Sequence, residues 1–148
     1  MNISIVPTGI VYKTVDKLAA FLDTAAVYSR GRSFPDDLLR SILSGVYQLW
    51  VVHDDEPVIH GLFMTEVVQY PQKKLLCIQH CVIENNLMNE VEDQMQEIAE
   101  RYAREAGCGG IEFVGRPGWK RHAMRYGYSA QSVKYQKFFG EVQDEQAA

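Results

Sequence analysis

Residues 75–114 read LLCIQHCVIENNLMNEVEDQMQEIAERYAREAGCGGIEFV, and this stretch decides the fold. It opens with a mostly apolar run over residues 75–83, which predicts a β-strand. Apolar residues then recur every three or four positions from Met88 to Ala106, which predicts a long amphipathic helix. Residues 111–114 predict another short strand. A strand, a long helix and a strand in this order indicate a parallel pair joined by a right-handed crossover.

Two further strand-like segments precede this unit. Residues 48–53 (QLWVVH) and 58–68 (VIHGLFMTEVV) are rich in apolar and β-branched residues. The intervening residues 54–57 and 70–73 have the composition of turns. Because tight turns can join only antiparallel neighbours, we expect the three strands ending at residue 83 to form an antiparallel meander.

The two ends of the chain complete the predicted order of elements. Residues 3–7 resemble a short strand, and helices are expected to open at Val15 and at 33–36, where a Ser, a Pro and an Asp mark the start. Towards the C-terminus we predict a short helix over residues 119–126 and a strand over Ser132–Phe139. The order β-α-α-β-β-β-α-β-α-β predicts an α/β (α+β) fold with a mixed, mostly antiparallel sheet flanked by helices.

Length and composition predict one globular domain over residues 1–140, followed by a polar tail over 141–148. The chain has 148 residues, of which 47% are hydrophobic. Its 15 Lys and Arg against 19 Asp and Glu give a net charge of -4, which disfavours nucleic-acid binding. No apolar run is long enough to cross a membrane. Three cysteines without a signal peptide or zinc-site spacing predict free thiols, no metal and a cytoplasmic location.

Residues 115–128 read GRPGWKRHAMRYGY and carry the most specific local resemblance. Together with the element order and the chain length, this segment resembles the GNAT superfamily of acetyl-CoA-dependent acyltransferases. A matching segment ends in Gly-Phe or Gly-Tyr in that superfamily, and here it ends in Gly127 and Tyr128. Gly-Trp followed by a basic helix is most similar to small GNAT-like proteins of bacteriophages. The resemblance implies an N-acyltransferase that uses acetyl-CoA.

The resemblance also implies where the cofactor binds. In GNAT proteins the third meander strand separates from the next strand, and the pantetheine arm of coenzyme A lies in the gap. The pyrophosphate lies at the start of the long helix, where unpaired N–H groups and the helix dipole favour anions. A basic cluster near residue 120 is implied to bind the adenine-side phosphate. The implied cofactor-binding residues are Cys81, Val82, Ile83, Asn85, Asn86, Arg116 and Arg121.

Two positions depart from the family's pattern. The family's pyrophosphate loop is rich in glycine and in Gln or Arg, but here residues 84–90 (ENNLMNE) contain no glycine and no cation. The carboxylates of Glu84 and Glu90 would repel a pyrophosphate bound to the same donors. Many GNAT enzymes also have a Tyr four residues before the closing glycine of the short helix, where it protonates the departing thiolate. That position is Ala123 in this sequence.

Two side chains are candidate general bases for deprotonating an amine. His80 lies in the middle of the third meander strand, and an unperturbed imidazole titrates near neutrality. Glu66 lies on the neighbouring strand. The alternative is a half-buried, hydrogen-bonded histidine and a solvent-facing glutamate. Cys77 and Cys81 are expected to point to one face of their strand, as small core thiols rather than nucleophiles.

The remaining features allow a second function. A basic cluster surrounds Trp119 and can meet an acidic partner surface, or it can be a solvated helix face with Trp119 packed inward. The predicted strand Ser132–Phe139 can pair with a second subunit, so a homodimer is a further expectation. The two hypotheses are therefore an acetyl-CoA-dependent N-acyltransferase and a non-catalytic, phage-type protein that binds and modulates a bacterial host protein.

Overall fold

Two compact units make up the described chain. The computed structural model describes residues 1–56 and 58–140; its first unit is Met1–Phe113, and the second begins at Val114. The first unit contains, in chain order, β1 (Asn2–Val6), a 3-10 helix (Thr8–Lys13), α1 (Val15–Tyr28), α2 (Pro35–Leu43), β2 (Gln48–His53), β3 (Ile59–Gln69), β4 (Lys74–Ile83), α3 (Met88–Glu105) and β5 (Gly110–Phe113). The second unit contains a 3-10 helix (Pro117–Trp119) and α4 (Lys120–Arg125). The predicted tail over 141–148, and Pro57 of the predicted turn, lie outside the described residues.

The five strands form one sheet in the order β1-β2-β3-β4-β5. β1 to β4 pair antiparallel with their neighbours, whereas β5 pairs parallel to β4. α3 supplies the long connection that a parallel pair needs, and short turns join β2 to β3 and β3 to β4. The predicted meander and the predicted mixed, mostly antiparallel sheet flanked by helices are confirmed.

A β-bulge interrupts the pairing of β3 with β4. Met64 lies opposite His80 and Thr65 lies opposite Ile78, so Gln79 is an extra residue in β4. One additional residue shifts the alternation of side chains, because the period of a strand is two. The side chains of β4 after Gln79 therefore lie on the faces opposite to those that a regular strand would give them.

Each face of the sheet packs against different helices. On one face, the side chains of β2 and β3 join α1 and α2 in a cluster that contains Leu18, Leu22, Leu38, Ile42, Leu49, Val51, Leu62 and Met64. On the other face, α3 packs against two clusters, which contain Trp50, Phe63, Met95, Leu76, Ala99 and Ala103. The rings of Trp50 and Phe63 stack with centroids 5.6 Å apart. Both faces of the sheet are thus buried in its centre, as a sheet covered by helices on both sides requires.

The start of α3 differs from its prediction in detail. Either Asn85 or Asn86 is the expected N-cap by residue type, but Leu87 occupies that position and makes no side-chain capping bond. Asn86 instead adopts a left-handed backbone, with φ of 71°, in the turn that leads into the helix. Asn86 therefore lies in the turn between β4 and α3. The side chains of Asn85 and Asn86 are both exposed.

The predicted last strand, Ser132–Phe139, does not form in the described chain. These residues have no strand assignment, and Tyr135 and Phe139 are each 89% exposed. The β propensity of such a segment reflects packing on a partner strand and a half-buried surface. Where the side chains bury no surface, the preference of the residue types alone does not produce a strand.

Candidate functional site

One face of the sheet, which we call the polar face, carries the side chains of Glu66 on β3, Cys77 and His80 on β4, and Glu112 on β5. Cross-strand neighbours share a face, and Cys77 lies directly between Glu66 on β3 and Glu112 on β5. His80 lies opposite Met64, whose side chain packs on the same face against α1 and α2. The bulge thus brings the two predicted bases, His80 and Glu66, to one face of the sheet.

His80 is half-buried on the polar face. Burial lowers the pKa of His80, so the imidazole is neutral at pH 7. Its ring lies beside the ring of Tyr47, with 6.0 Å between centroids. A neutral imidazole has one nitrogen with a free lone pair, which is the chemical requirement for a general base.

Glu66 is held in place by the bulge residue. The side-chain amide of Gln79 donates a hydrogen bond to Glu66 Oε1 at 2.9 Å. Burial raises the pKa of Tyr47 most, and the negative charges of Glu66 and Cys77 raise it further. The Glu66 carboxylate therefore disfavours ionisation of the Tyr47 hydroxyl. Gln79 therefore links the bulge to the second predicted base, and nothing in the strand pattern of the sequence indicates this contact.

The other carboxylate of the polar face is Glu112, which the sequence analysis did not single out. The Tyr70 hydroxyl donates a hydrogen bond to Glu112 Oε1. This bond, then burial and the charge of Glu112, raise the pKa of Tyr70. Glu112 lies beside Cys77 because β5 pairs in parallel with residues 75–78 of β4. The sequence predicts the parallel pair but not its register, so it does not show that the two residues are neighbours.

Cys77 and Cys81 lie on opposite faces of β4, and the prediction that they share one face is wrong. Cys81 packs against Trp50, Phe63 and Met95 on the α3 side, whereas Cys77 faces Glu66 and Glu112. The bulge between them causes the difference. Burial first, and then the charges of Glu112 and Glu66, raise the pKa of Cys77 to about 11. A protonated thiol is a weak nucleophile at neutral pH.

The predicted pantetheine contacts lie at the far end of β4. Ile78 is the last residue of β4 that pairs with β5, and β4 continues to Ile83. The side chains of Cys81 and Ile83 pack into the α3 side of the core, and Val82 packs into the other side. The backbone, rather than these side chains, is therefore what this end of the strand offers to a ligand.

The backbone directions at this end follow from the antiparallel pairing. Glu84 N–H donates to the His60 carbonyl at 2.9 Å, so its N–H points towards β3. Alternate residues of an antiparallel strand direct their polar groups to the same side. The backbone N–H and C=O of Ile83 therefore point away from β3, towards the side of β4 on which β5 lies earlier in the strand.

The loop before α3 contains the predicted pyrophosphate contacts Asn85 and Asn86, which are both exposed. Glu84 at its start is not isolated, because its carboxylate contacts the His60 ring at 2.9 Å. The first turn of α3 contains Glu90. The loop itself contains no cation, but His60 on β3, when protonated, places one beside Glu84.

The other two predicted cofactor ligands, Arg116 and Arg121, belong to the second unit. Arg116 precedes the 3-10 helix and is partly buried, and Arg121 is exposed on α4. Between them, Trp119 is partly buried and its ring lies 5.8 Å from that of His122. Five of the seven predicted cofactor residues are thus on consecutive stretches of the first unit, and two are on the second.

Neither a metal site nor a membrane-spanning helix is found among the described residues. No group of three or more His, Cys, Asp or Glu side chains among them is arranged to hold a metal ion. None of the helices in the described part of the chain is both long and apolar enough to cross a membrane. Cys77, Cys81 and Cys108 are free thiols.

Comparison with known proteins identifies the fold. No known protein family matches the sequence, and neither does any curated protein. Among solved structures, glucosamine-6-phosphate N-acetyltransferase from Arabidopsis thaliana has a TM-score of 0.68 at 13% identity, with 94% of this chain and 98% of that chain covered. Ribosomal-protein-alanine N-acetyltransferase from Brucella melitensis has a TM-score of 0.66 at 10% identity, covering 94% and 100%.

A third structural neighbour is an aminoglycoside acetyltransferase from an uncultured soil metagenomic sample, solved in complex with sisomicin. Its TM-score is 0.68 at 14% identity, with 95% of this chain and 96% of that chain covered. At such identities the likeness concerns the fold. The chain has the GNAT acetyltransferase fold, as the sequence predicts, and its similarity to phage proteins stays a prediction.

Proposed function

We propose that this protein is an N-acyltransferase that transfers the acetyl group of acetyl-CoA to an amine. The observation that carries the proposal is the position of His80. A neutral, half-buried imidazole lies on the polar face just beyond Ile78, where β4 leaves its pairing with β5. A base at that point is adjacent to the strand edge where the fold's acyl donor is expected.

The residues at the end of β4 fit coenzyme A. The backbone of Ile83, whose N–H and C=O point away from β3, would hold the pantetheine arm, with Cys81 and Val82 beside it in the strand. Exposed Asn85 and Asn86 would contact the pyrophosphate at the start of α3, where the helix dipole favours an anion. Arg116 and Arg121, predicted to bind the adenine-side phosphate, belong to the second unit, and their role stays a prediction. The bound cofactor would supply an activated thioester carbonyl.

The polar face would receive the amine. An amine is protonated at neutral pH and must lose a proton before its nitrogen can attack a carbonyl. The negative charges of Glu66 and Glu112 attract the ammonium form, and His80 takes the proton. Glu66 is the second candidate for that role. Ala123 cannot donate a proton to the leaving thiolate, so the proposal does not include a protein acid at that position.

Calorimetric titration with acetyl-CoA and assays with a panel of primary amines test this function. Micromolar binding, worth about 8 kcal/mol, is expected. His80→Ala should lower kcat/KM by about 100-fold or more without changing the affinity for acetyl-CoA. The acidic limb of the rate profile should lie below the ordinary imidazole range, because burial lowers the pKa of His80.

His53→Ala is the matched control, because within the described residues that ring hydrogen-bonds with the Ser4 hydroxyl and the Asp54 carbonyl. It should leave the rate unchanged. Full activity of His80→Ala would assign the base to another group, with Glu66→Gln as the next variant. No binding at millimolar acetyl-CoA would exclude acetyl transfer by this route.

A second candidate function is suggested by exposed apolar side chains in the second unit. Val133 is 72% exposed and Tyr135 and Phe139 are 89% exposed, which is unusual for large apolar groups so close together in the chain. In this alternative, the protein is a phage-type binding protein that docks on a bacterial host protein. It predicts no affinity for acetyl-CoA, and a captured host protein that is lost with Tyr135→Ser or Trp119→Ala in a folded variant.

A homodimer and a cytoplasmic location are also part of the proposal. The same exposed segment, residues 132–139, has the composition of a strand, so a homodimer paired through it is expected. The three free thiols suit a reducing compartment, in keeping with a cytoplasmic location. Sedimentation of wild-type protein and of Tyr135→Ser would test the dimer, which the substitution should weaken.

A further inference from the structure

Three titratable side chains meet beside the end of β4, and we call them the His60 clamp. His60 Nε2 lies 2.8 Å from Asp54 Oδ2, and His60 Nδ1 lies 2.9 Å from Glu84 Oε2. Asp54 follows β2, His60 is in β3, and Glu84 follows β4. The clamp therefore joins the two ends of the β2–β3 connection to the end of β4, 24 residues after His60, and the His60 side chain is 20% exposed.

The geometry of the His60 clamp suits a protonated ring. An ionised carboxylate only accepts hydrogen bonds, and here a carboxylate lies at each ring nitrogen. A neutral imidazole has one N–H and can donate to only one of them. Only the imidazolium donates to both Asp54 and Glu84, so the complete clamp contains a cation between two anions.

Backbone bonds connect the clamp to the loop before α3. Glu84 N–H donates to the His60 carbonyl at 2.9 Å, and Leu87 N–H donates to the Glu84 carbonyl at 3.2 Å. On the opposite side, Asp54 Oδ1 accepts the Val58 N–H at 3.0 Å. The Asp54 carboxylate is thus held by the backbone that follows it, the Glu84 backbone is held by β3 and by Leu87, and the His60 ring lies between the two carboxylates.

We propose that protonated His60 is a positioning residue for the loop over residues 84–87. It draws the Glu84 carboxylate to β3 and offsets its charge, so that a diphosphate can approach the first turn of α3. Without the cation, that carboxylate would be free to repel the anion. The inference rests on the proposed function, because the diphosphate in question is that of coenzyme A.

The clamp should depend on pH in a defined direction. The hydrogen bond to Asp54 first, and the one to Glu84 second, raise the pKa of His60 above its ordinary value. The charged groups facing the ring are Asp54 from the β2–β3 turn and Glu84 from the loop after β4. A raised folded pKa means that the clamp's contribution to stability is complete below about pH 6.5 and is lost as the pH rises through the folded value. Affinity for coenzyme A should fall in the same window.

Calorimetric titration of coenzyme A from about pH 6 to pH 9 tests the proposal with four proteins. These are the wild type, His60→Ala, Glu84→Gln and the double variant. His60→Ala should bind about three- to fivefold more weakly than wild type at the acidic end. Glu84→Gln should bind at least as well as wild type with a flatter pH dependence, and the double variant should match Glu84→Gln, because no free carboxylate remains.

A second measurement does not require the cofactor. NMR titration of the His60 ring and amide hydrogen exchange at Leu87 report the clamp and the loop separately. In the wild type, protection of the Leu87 amide should decrease as His60 loses its proton. Glu84→Gln should lower the pKa of the ring and uncouple the two signals. His53→Ala should change neither, because its ring contacts the Asp54 carbonyl rather than a clamp carboxylate.

The outcomes separate this inference from the proposed function. Binding of coenzyme A that weakens with His60→Ala and recovers in the double variant supports both. Binding that is equal in all four proteins supports the function and overturns the clamp. If coenzyme A never binds but Leu87 protection follows the His60 titration, the loop-positioning role stands and the proposed function fails. Protection that ignores His60 overturns the positioning role.

Discussion

The two halves of β4, divided by the bulge at Gln79, have different neighbours. Lys74–Ile78 lies between β3 and β5 and contributes Leu76, which is fully buried, to the α3 side of the core. Beyond the bulge, β4 still pairs with β3 but extends past the last residue that pairs with β5. The first half thus pairs with strands on both sides, and the second half pairs with β3 alone among the described strands.

This difference shows how one strand can serve both stability and binding. Pairing on two sides satisfies the backbone groups of the first half within the sheet. In the second half the side chains are still packed, so the fold keeps its core while the backbone on one side is directed to the expected cofactor position. The bulge at Gln79 separates the two halves and places the His80 side chain on the polar face.

The largest expected effect comes from removing the core contact of the first half. Leu76→Ala should lower the free energy of unfolding by about 2–5 kcal/mol, because a fully buried leucine leaves a cavity. Denaturant unfolding measures it. Leu75→Ala, at a half-exposed position, is the control and should cost less. Equal costs would mean that the buried side of the first half contributes no more to stability than its more exposed side.

An intermediate effect is expected where β3 approaches the second half. A Cβ on Gly61 would lie 2.8 Å from the Val82 carbonyl oxygen and 2.9 Å from Ile83 Cα, closer than backbone atoms allow. Gly61→Ala should therefore displace this end of β4, destabilise the protein by about 1–3 kcal/mol and weaken acetyl-CoA binding. Gly9→Ala, which meets nothing within 4 Å, should do neither.

The smallest effect concerns the thiol of the first half on the polar face. With a pKa of about 11, Cys77 is a thiolate in about one molecule in ten thousand at pH 7. Alkylation followed by mass spectrometry should leave Cys77 unmodified at neutral pH and modify it as the pH approaches that value. Glu112→Gln should move the onset to lower pH. Rapid neutral modification, absent in Cys77→Ser, would contradict this environment.

Much of the fold was predictable because it depends on local periodicity. The spacing of Val91, Met95 and Ala99 predicts the buried face of α3, and all three are buried on the α3 side of the sheet. The short turns predict the meander. His80 and Glu66 were predicted as candidate bases by residue type and strand position, but the sequence contains no signal for the extra residue at Gln79, because a bulge depends on pairing between two strands.

The errors have the same origin. Cys77 and Cys81 are four residues apart, which places them on one face only in a regular strand. The segment 132–139 has strand-forming residue types, but a strand needs a partner edge. Glu84 was predicted to lie in a loop without a cation, and its partner His60 is on another strand. In each case the deciding neighbour is remote in sequence.

The sequence by itself therefore determined the order of elements from β1 to α4, the helical connection between β4 and β5 and the apolar faces, because these follow from side-chain periods of two and 3.6 along the chain. The tertiary structure alone decided the register of β4 against β3 and β5. That register sets the face on which His80 lies, the carboxylates that flank Cys77 and the charge that accompanies Glu84. Such contacts join residues on different strands, and a local pattern contains no information about which partners will lie opposite one another.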